Sequence, residues 1–338
     1  MNSTSIIDRQ FDFGDISRYR TQLMGLATLM IIACHAPASG VLMPPVFAKV
    51  LSYGNFGVDI FLFLSGLGLF YSLSKRPVEN GGGYFCYCKR RLSRVFKPYI
   101  IIFLPYSFIL LALGIYSISD VLLSVTAFEF WFYHRGAWFV SLIIVLYVIA
   151  PFLKAILSGK NRWLVAFCLI VLLELVIRVI HVEDASKTNI LSNIIGAVSR
   201  VPSFIAGMLI APYCMEGKSK SPLWFLLLAV GSLYLSRFVF CDFWMKVPLI
   251  VYCLIILIKI LSKWDWVNNA LIFIGTISLE SYLTNITINN LLMSLIPSRI
   301  DGLIFYGRYL EYTIVICIGL LLSYYINRQV RNVRLNNI

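Results

Sequence analysis

Charge is what this 338-residue chain has least of: 13% of its residues are Asp, Glu, Lys or Arg, against 59% that are hydrophobic. Soluble globular domains carry about a quarter charged residues, so a water-soluble fold is excluded. The mean hydropathy of +0.83 says the same. Acidic residues are scarcest, 16 against 29 Lys+Arg. In so apolar a chain the basic excess reads as a topology signal at a membrane, and no nucleic-acid partner is expected. Histidine occurs only three times, and the eight cysteines lie mostly inside apolar runs, where they act as small apolar side chains. Cys86 and Cys88 are two apart, closer than zinc ligands usually stand, and no metal site is expected. Internal repeats are missing, as is low complexity beyond Gly81-Gly82-Gly83, which reads as a hinge. Residues 1–338 are therefore taken as a single domain.

What the chain does have is long apolar runs. They predict an all-α, polytopic transmembrane helical bundle of about ten spans, near 21–43, 56–74, 96–117, 137–157, 163–181, 196–213, 223–241, 247–262, 268–296 and 309–326. Of the 29 Lys and Arg, 20 fall on the N-terminus, the loops after even-numbered spans and the C-terminal tail. That asymmetry places both termini in the cytoplasm, with cytoplasmic segments at about 1–18 and 327–338. The expected location is a plasma or inner membrane, crossed many times, with the lipid bilayer as first partner; homo-oligomerisation is left open. Arg9 and Arg18 precede the first span and no small-residue cleavage site follows it, so that span is expected to stay.

Against this background a few polar residues stand out. His35 lies in the first span, ISRYRTQLMGLATLMIIACHAPASGVLM, where an ionisable group is costly. It is expected to face a wet cavity as a functional group, or to hydrogen-bond a neighbouring helix as a structural one. Asp59 sits near the outer end of the second span, and Ser65-Gly66 lies about 9 Å deeper at helical rise. Ser65, Gly66 and Gly68 read as a close helix-packing face, whereas Asp59 needs a partner, and His35 on the neighbouring helix is the candidate.

Arg91 and Arg94 are three apart and share a helix face, with Arg90 and Lys97 alongside. They form either a positive-inside cluster or an anion clamp for phosphates. The aromatic stretch 128–151, around Glu129, His134 and Arg135, reads as an interfacial belt, and its rings near Trp138 are suited to a sugar. His134 and His181 look interfacial. Arg200 stands at the outer entry of the sixth span, and the ninth carries Glu280 and Asn285. Glu280 is either the structural partner of a buried arginine or a catalytic carboxylate.

The segments LMGLATLMIIACH, FGVDIFLFLSGLGL, YCKRRLSRVFKPY, AWFVSLIIVLYVIAPF, SRVPSFIAGM and IGTISLESYL, in that order, resemble the integral-membrane acyltransferase-3 family over about residues 20–285. The resemblance implies an enzyme of about ten helices that moves a short acyl group, usually acetyl, from acyl-CoA to a hydroxyl of a cell-surface glycan or its lipid-linked precursor. The family's first-helix histidine falls on His35, its arginine pair on Arg91 and Arg94, and its second-helix aspartate and serine-glycine on Asp59, Ser65 and Gly66. Three positions depart: Met24 stands where many members have arginine, with Arg20 one turn earlier on the same face; Ile143 replaces a common glutamate; and Asn285 replaces a common histidine.

The expected reaction has neutral His35 deprotonating the acceptor, Asp59 or Glu280 orienting it, and Arg20, Arg90, Arg91 and Arg94 holding acetyl-CoA. Ser65, Trp138, Arg200 and Asn285 are expected near the substrates. A covalent acyl-enzyme on Ser65 is the alternative mechanism. A transporter or flippase, and a non-catalytic regulator on the same fold, are the alternative functions.

Overall fold

The computed structural model describes residues 11–133, 135–184, 189–220, 224, 227, 230–232, 234, 238–239, 243–295 and 309–335. Short helices α1 (Gly14–Arg18), α3 (Pro45–Ser52), α6 (Ile118–Val125) and α7 (Glu129–Tyr133) link longer ones. The long helices are α2 (Arg20–Ala38), α4 (Phe56–Lys75), α5 (Gly81–Ala112), α8 (Trp138–Ile156) and α9 (Arg162–Asp184). They are followed by α10 (Asn189–Val198), α11 (Val201–Met215), α12 (Phe243–Leu261), α13 (Asp265–Thr276), α14 (Ser278–Leu295) and α15 (Tyr309–Leu335). Two-residue strands β1 (Phe11–Asp12) and β2 (Ser219–Lys220) pair antiparallel and tie the start of the chain to the end of α11.

The fold is all-α. Among the described residues seven helical segments are long and apolar enough to cross a membrane, or eight if the bent pair α13–α14 counts as one. They correspond to eight of the ten expected spans. The expected 247–262 span appears as α12, a 19-residue helix outside that set, and most of 223–241 lies outside the described residues.

Because lipid removes the hydrophobic drive between helices, close packing has to bring them together, and glycine supplies it. A Cβ at Gly66 of α4 would stand 2.2 Å from the carbonyl oxygen of Phe204, and one at Gly207 of α11 would stand 2.0 Å from that of Phe63. Of the face read around Ser65, Gly66 makes the α4–α11 contact, while Gly68 meets Arg20 of α2 and Ser65 lines a cavity. Gly25 of α2 and Gly275 of α13 meet in the same way, at 2.2 Å from the Leu271 oxygen and 1.9 Å from the Thr21 oxygen. As a result α4 is central, and every residue from Gly57 to Leu64 is buried. At the periphery, α9 turns Leu164, Phe167, Leu172 and Leu175 outward, as a lipid-facing helix does.

Three expected boundaries are corrected. Gly81–Gly83 form no hinge: the Asn80 side chain accepts from the Gly83 amide at 2.7 Å and starts α5 there, so the basic cluster rides on a 32-residue helix. The first span ends at Ala38, short of 43. The ninth is not straight: α13 and α14 meet at Ile277 with a bend of 72°. There the Ile277 amide turns back to the Ile274 oxygen at 3.2 Å, tightening the last turn while Gly275 is pinned against α2.

Candidate active site

Position 35 is four residues after Ile31 on α2, so the imidazole can reach back one turn, and its Nδ1 lies 2.8 Å from the Ile31 carbonyl oxygen. A carbonyl only accepts, so Nδ1 carries the hydrogen, and in the neutral ring Nε2 keeps its lone pair. His35 is exposed and lines a cavity of about 170 Å³ with Thr28, Ser39, Trp138, Tyr282, Asn285, Asn289, Asn290 and Tyr312. The cavity explains why the ninth segment carries so many amides: they face this polar space from α14. Asn285 is anchored by Nδ2 donating to the Ser281 oxygen at 2.8 Å, and its Oδ1 is buried without a hydrogen-bond partner.

A second cavity, of about 150 Å³, lies toward the Arg20 end of α2 and is lined by Met24, Phe61, Ser65, Arg94, Val95, Phe139, Ile143, Tyr147, Ser278, Leu279 and Tyr282. Two of the family departures, Met24 and Ile143, are therefore wall residues of one space. Arg20 donates through Nη2 to the Leu64 oxygen at 3.2 Å and packs on Gly68, so it reaches the residue next to Ser65 without standing in the place of Met24. Arg94 is exposed, while Arg90 and Arg91 are half-buried one turn before it on α5, and the Arg91 Nε has no hydrogen-bond partner. Tyr282, 4% exposed, is the one side chain among those lining both cavities.

Both carboxylates expected to orient His35 are engaged elsewhere. Asp59, fully buried, pairs with Arg200 and accepts from the Ser203 hydroxyl at 2.9 Å. A carboxylate inside an apolar helix interface needs such a cation, and Arg200, in the residue before α11, brings it. Glu280 accepts from Asn327 Nδ2 at 3.0 Å, across to α15. The partner found for the His35 ring is a backbone carbonyl, which no sequence pattern marks. His134 lies outside the described residues, as does the side chain of His181.

Among the buried acids outside the spans that the sequence left unassigned, one stands close to the His35 cavity. Glu129, 1% exposed, opens α7; its Oε1 accepts from the Tyr116 hydroxyl at 2.5 Å, and its Oε2 has no hydrogen-bond partner. It stands behind Gly136, a wall residue of the His35 cavity that adopts φ +76°. Burial raises its carboxyl above the ordinary glutamate value, against the opposing pull of Tyr116 and of Arg135. The native state then binds that proton more tightly than the unfolded chain, so stability falls as pH rises upward from about 4.3, the ordinary glutamate pKa. Glu129→Gln is expected to flatten this slope in thermal midpoints of the solubilised protein. An unchanged slope would assign it to another group.

An all-α body with membrane-length helices, holding one cavity lined by His35 and a second with Arg94 in its wall that share Tyr282, defines a membrane-embedded helical protein. The acyltransferase-3 family, described as an acyltransferase domain, matches residues 22–328. The chain belongs to that family and is a membrane acyltransferase. Comparison with curated proteins gives no match, and comparison with solved structures gives none.

Proposed function

We propose that this protein transfers acetyl, or another short acyl group, from acyl-CoA to a hydroxyl of a cell-surface polysaccharide or its lipid-linked precursor. The observation that carries the reading is the pair of cavities meeting at Tyr282, one with Arg94 in its wall and the other with His35. Acyl transfer to a sugar hydroxyl needs a base near neutrality, and His35 presents Nε2 as that base. Nδ1 stays bound to the Ile31 carbonyl, which keeps the ring fixed through the proton transfer. Arg90, Arg91 and Arg94 hold the donor phosphates, with Arg20 adding charge deeper in. Fifteen residues of α2, about 22 Å at helical rise, separate Arg20 from His35. The donor enters from the arginine side and spans that depth, and the glycan enters the amide-lined cavity past Trp138 and Asn285.

In this reading Asp59 and Glu280 act on position rather than on protons: Asp59 fixes α4 to α11 through Arg200, and Glu280 fixes α14 to α15. Ser65 lines the cavity opposite to that of His35, which favours direct attack by the acceptor over an acyl-serine intermediate.

Replacing Arg91 or Arg94 by Glu is expected to weaken CoA binding to the purified chain about tenfold to a hundredfold, since each removes a charge-assisted bond and adds repulsion. Calorimetric titration with CoA reads this directly. An unchanged affinity in both variants would return the cluster to a topology signal.

A further inference from the structure

We infer that the hydroxyl of Tyr282 is the oxyanion donor of the reaction, placed where the acyl carbonyl must lie when the two substrates meet. The inference rests on the acyl-CoA reading above and names a catalytic group for it. Tyr282 sits four residues into α14, just past the bend at Ile277, and the bend carries its ring between the two cavities. Its ring stands edge-on to Phe139, with centroids 5.7 Å apart, and Phe139 belongs to the first turn of α8. N–H groups of a first helical turn have no intrahelical acceptor, so the same spot is favourable to negative charge.

The telling feature is that the hydroxyl donates no hydrogen bond although the side chain is almost wholly buried, its oxygen being approached only by the backbone N–H of Phe139. A buried, unpaired O–H is unfavourable, and phenylalanine would fill the same space without it. The group is left for something that arrives. Its neighbours in the two walls say what: His35 and the amides on one side, Arg94 and Ser65 on the other.

The step balances as follows. The acceptor oxygen attacks the thioester carbon, its proton passes to His35 Nε2, and the carbonyl π pair moves onto oxygen, which the Tyr282 O–H stabilises as the oxyanion. Collapse re-forms C=O and breaks C–S. The thiolate leaves and takes the proton from the imidazolium, giving the ester and free CoA thiol.

The test compares wild type and Tyr282→Phe, using membranes that contain the full chain and [14C]acetyl-CoA, with label in membrane glycans normalised to chain amount. Loss of one oxyanion donor is expected to lower the turnover rate about a hundredfold or more. The KM for acetyl-CoA stays within about twofold. The thermal midpoint stays equal or rises, because an unsatisfied buried group is removed. A rate within about threefold of wild type overturns the role of Tyr282, and so does a loss that follows a raised KM or a lowered midpoint. If the wild-type chain itself moves no label, the acyl-CoA reading falls and this inference falls with it.

Discussion

His35→Ala is expected to abolish acyl transfer while leaving the donor bound. General-base catalysis by a positioned side chain contributes about 10²–10⁴-fold, and the acceptor hydroxyl is far too weak an acid to react unaided, so the loss should fall in that range. CoA affinity should not change, because the arginine cluster is on α5 and the histidine lines the other cavity. The fold should survive as well: the ring is exposed to the cavity and its one described hydrogen bond is to its own helix. Initial rates of label transfer, with CoA titration of the same preparation, separate chemistry from binding. Turnover near wild type would remove His35 as the base.

The second large effect is structural. Gly207→Ala is expected to lose the folded protein, since even a methyl would lie 2.0 Å from the Phe63 carbonyl oxygen, at backbone that cannot swing aside. Overpacking a well-packed interior costs about 1–3 kcal/mol when side chains can adjust, and here α4 and α11 themselves would have to separate. Size-exclusion yield and thermal midpoint of the solubilised chain are the readouts. Gly196→Ala is the control: nothing lies within 4 Å of a Cβ there, and within α10 the change favours helix, so it should be neutral or slightly stabilising. Equal behaviour of the two variants would contradict the packing account.

How far the sequence could be read differs from residue to residue. His35 was legible because charge is so rare that one imidazole in an apolar run stands out. Its partner was not, since a side chain folding back on the carbonyl four residues earlier leaves no trace in composition or spacing. Asp59 and Arg200 were each noticed, yet the sequence separates them by 141 positions and only the α4–α11 contact joins them. The Gly66 face was legible from its small residues, whereas its partner Gly207 acquired meaning only through that contact. The bend at Ile277 carries no proline to announce it; it falls two residues after Gly275, which is held against α2. Tyr282 was hidden among 19 tyrosines, because what distinguishes it is a buried hydroxyl that donates no hydrogen bond. Asn80 followed by three glycines looked like a flexible joint until its side chain was seen to cap a helix.

The claim on which the rest depends is that donor and acceptor meet across the membrane-embedded interior of this chain. Sealed membrane vesicles of known orientation, containing the full chain and their native glycans, should incorporate label from [14C]acetyl-CoA supplied on the side of Arg91 and Arg94. The label should be ester-linked and released by mild base. Membranes lacking the chain should incorporate none, and His35→Ala membranes almost none. Equal labelling with and without the chain, or label fixed only when acetyl-CoA is supplied on the His35 side, would contradict the account.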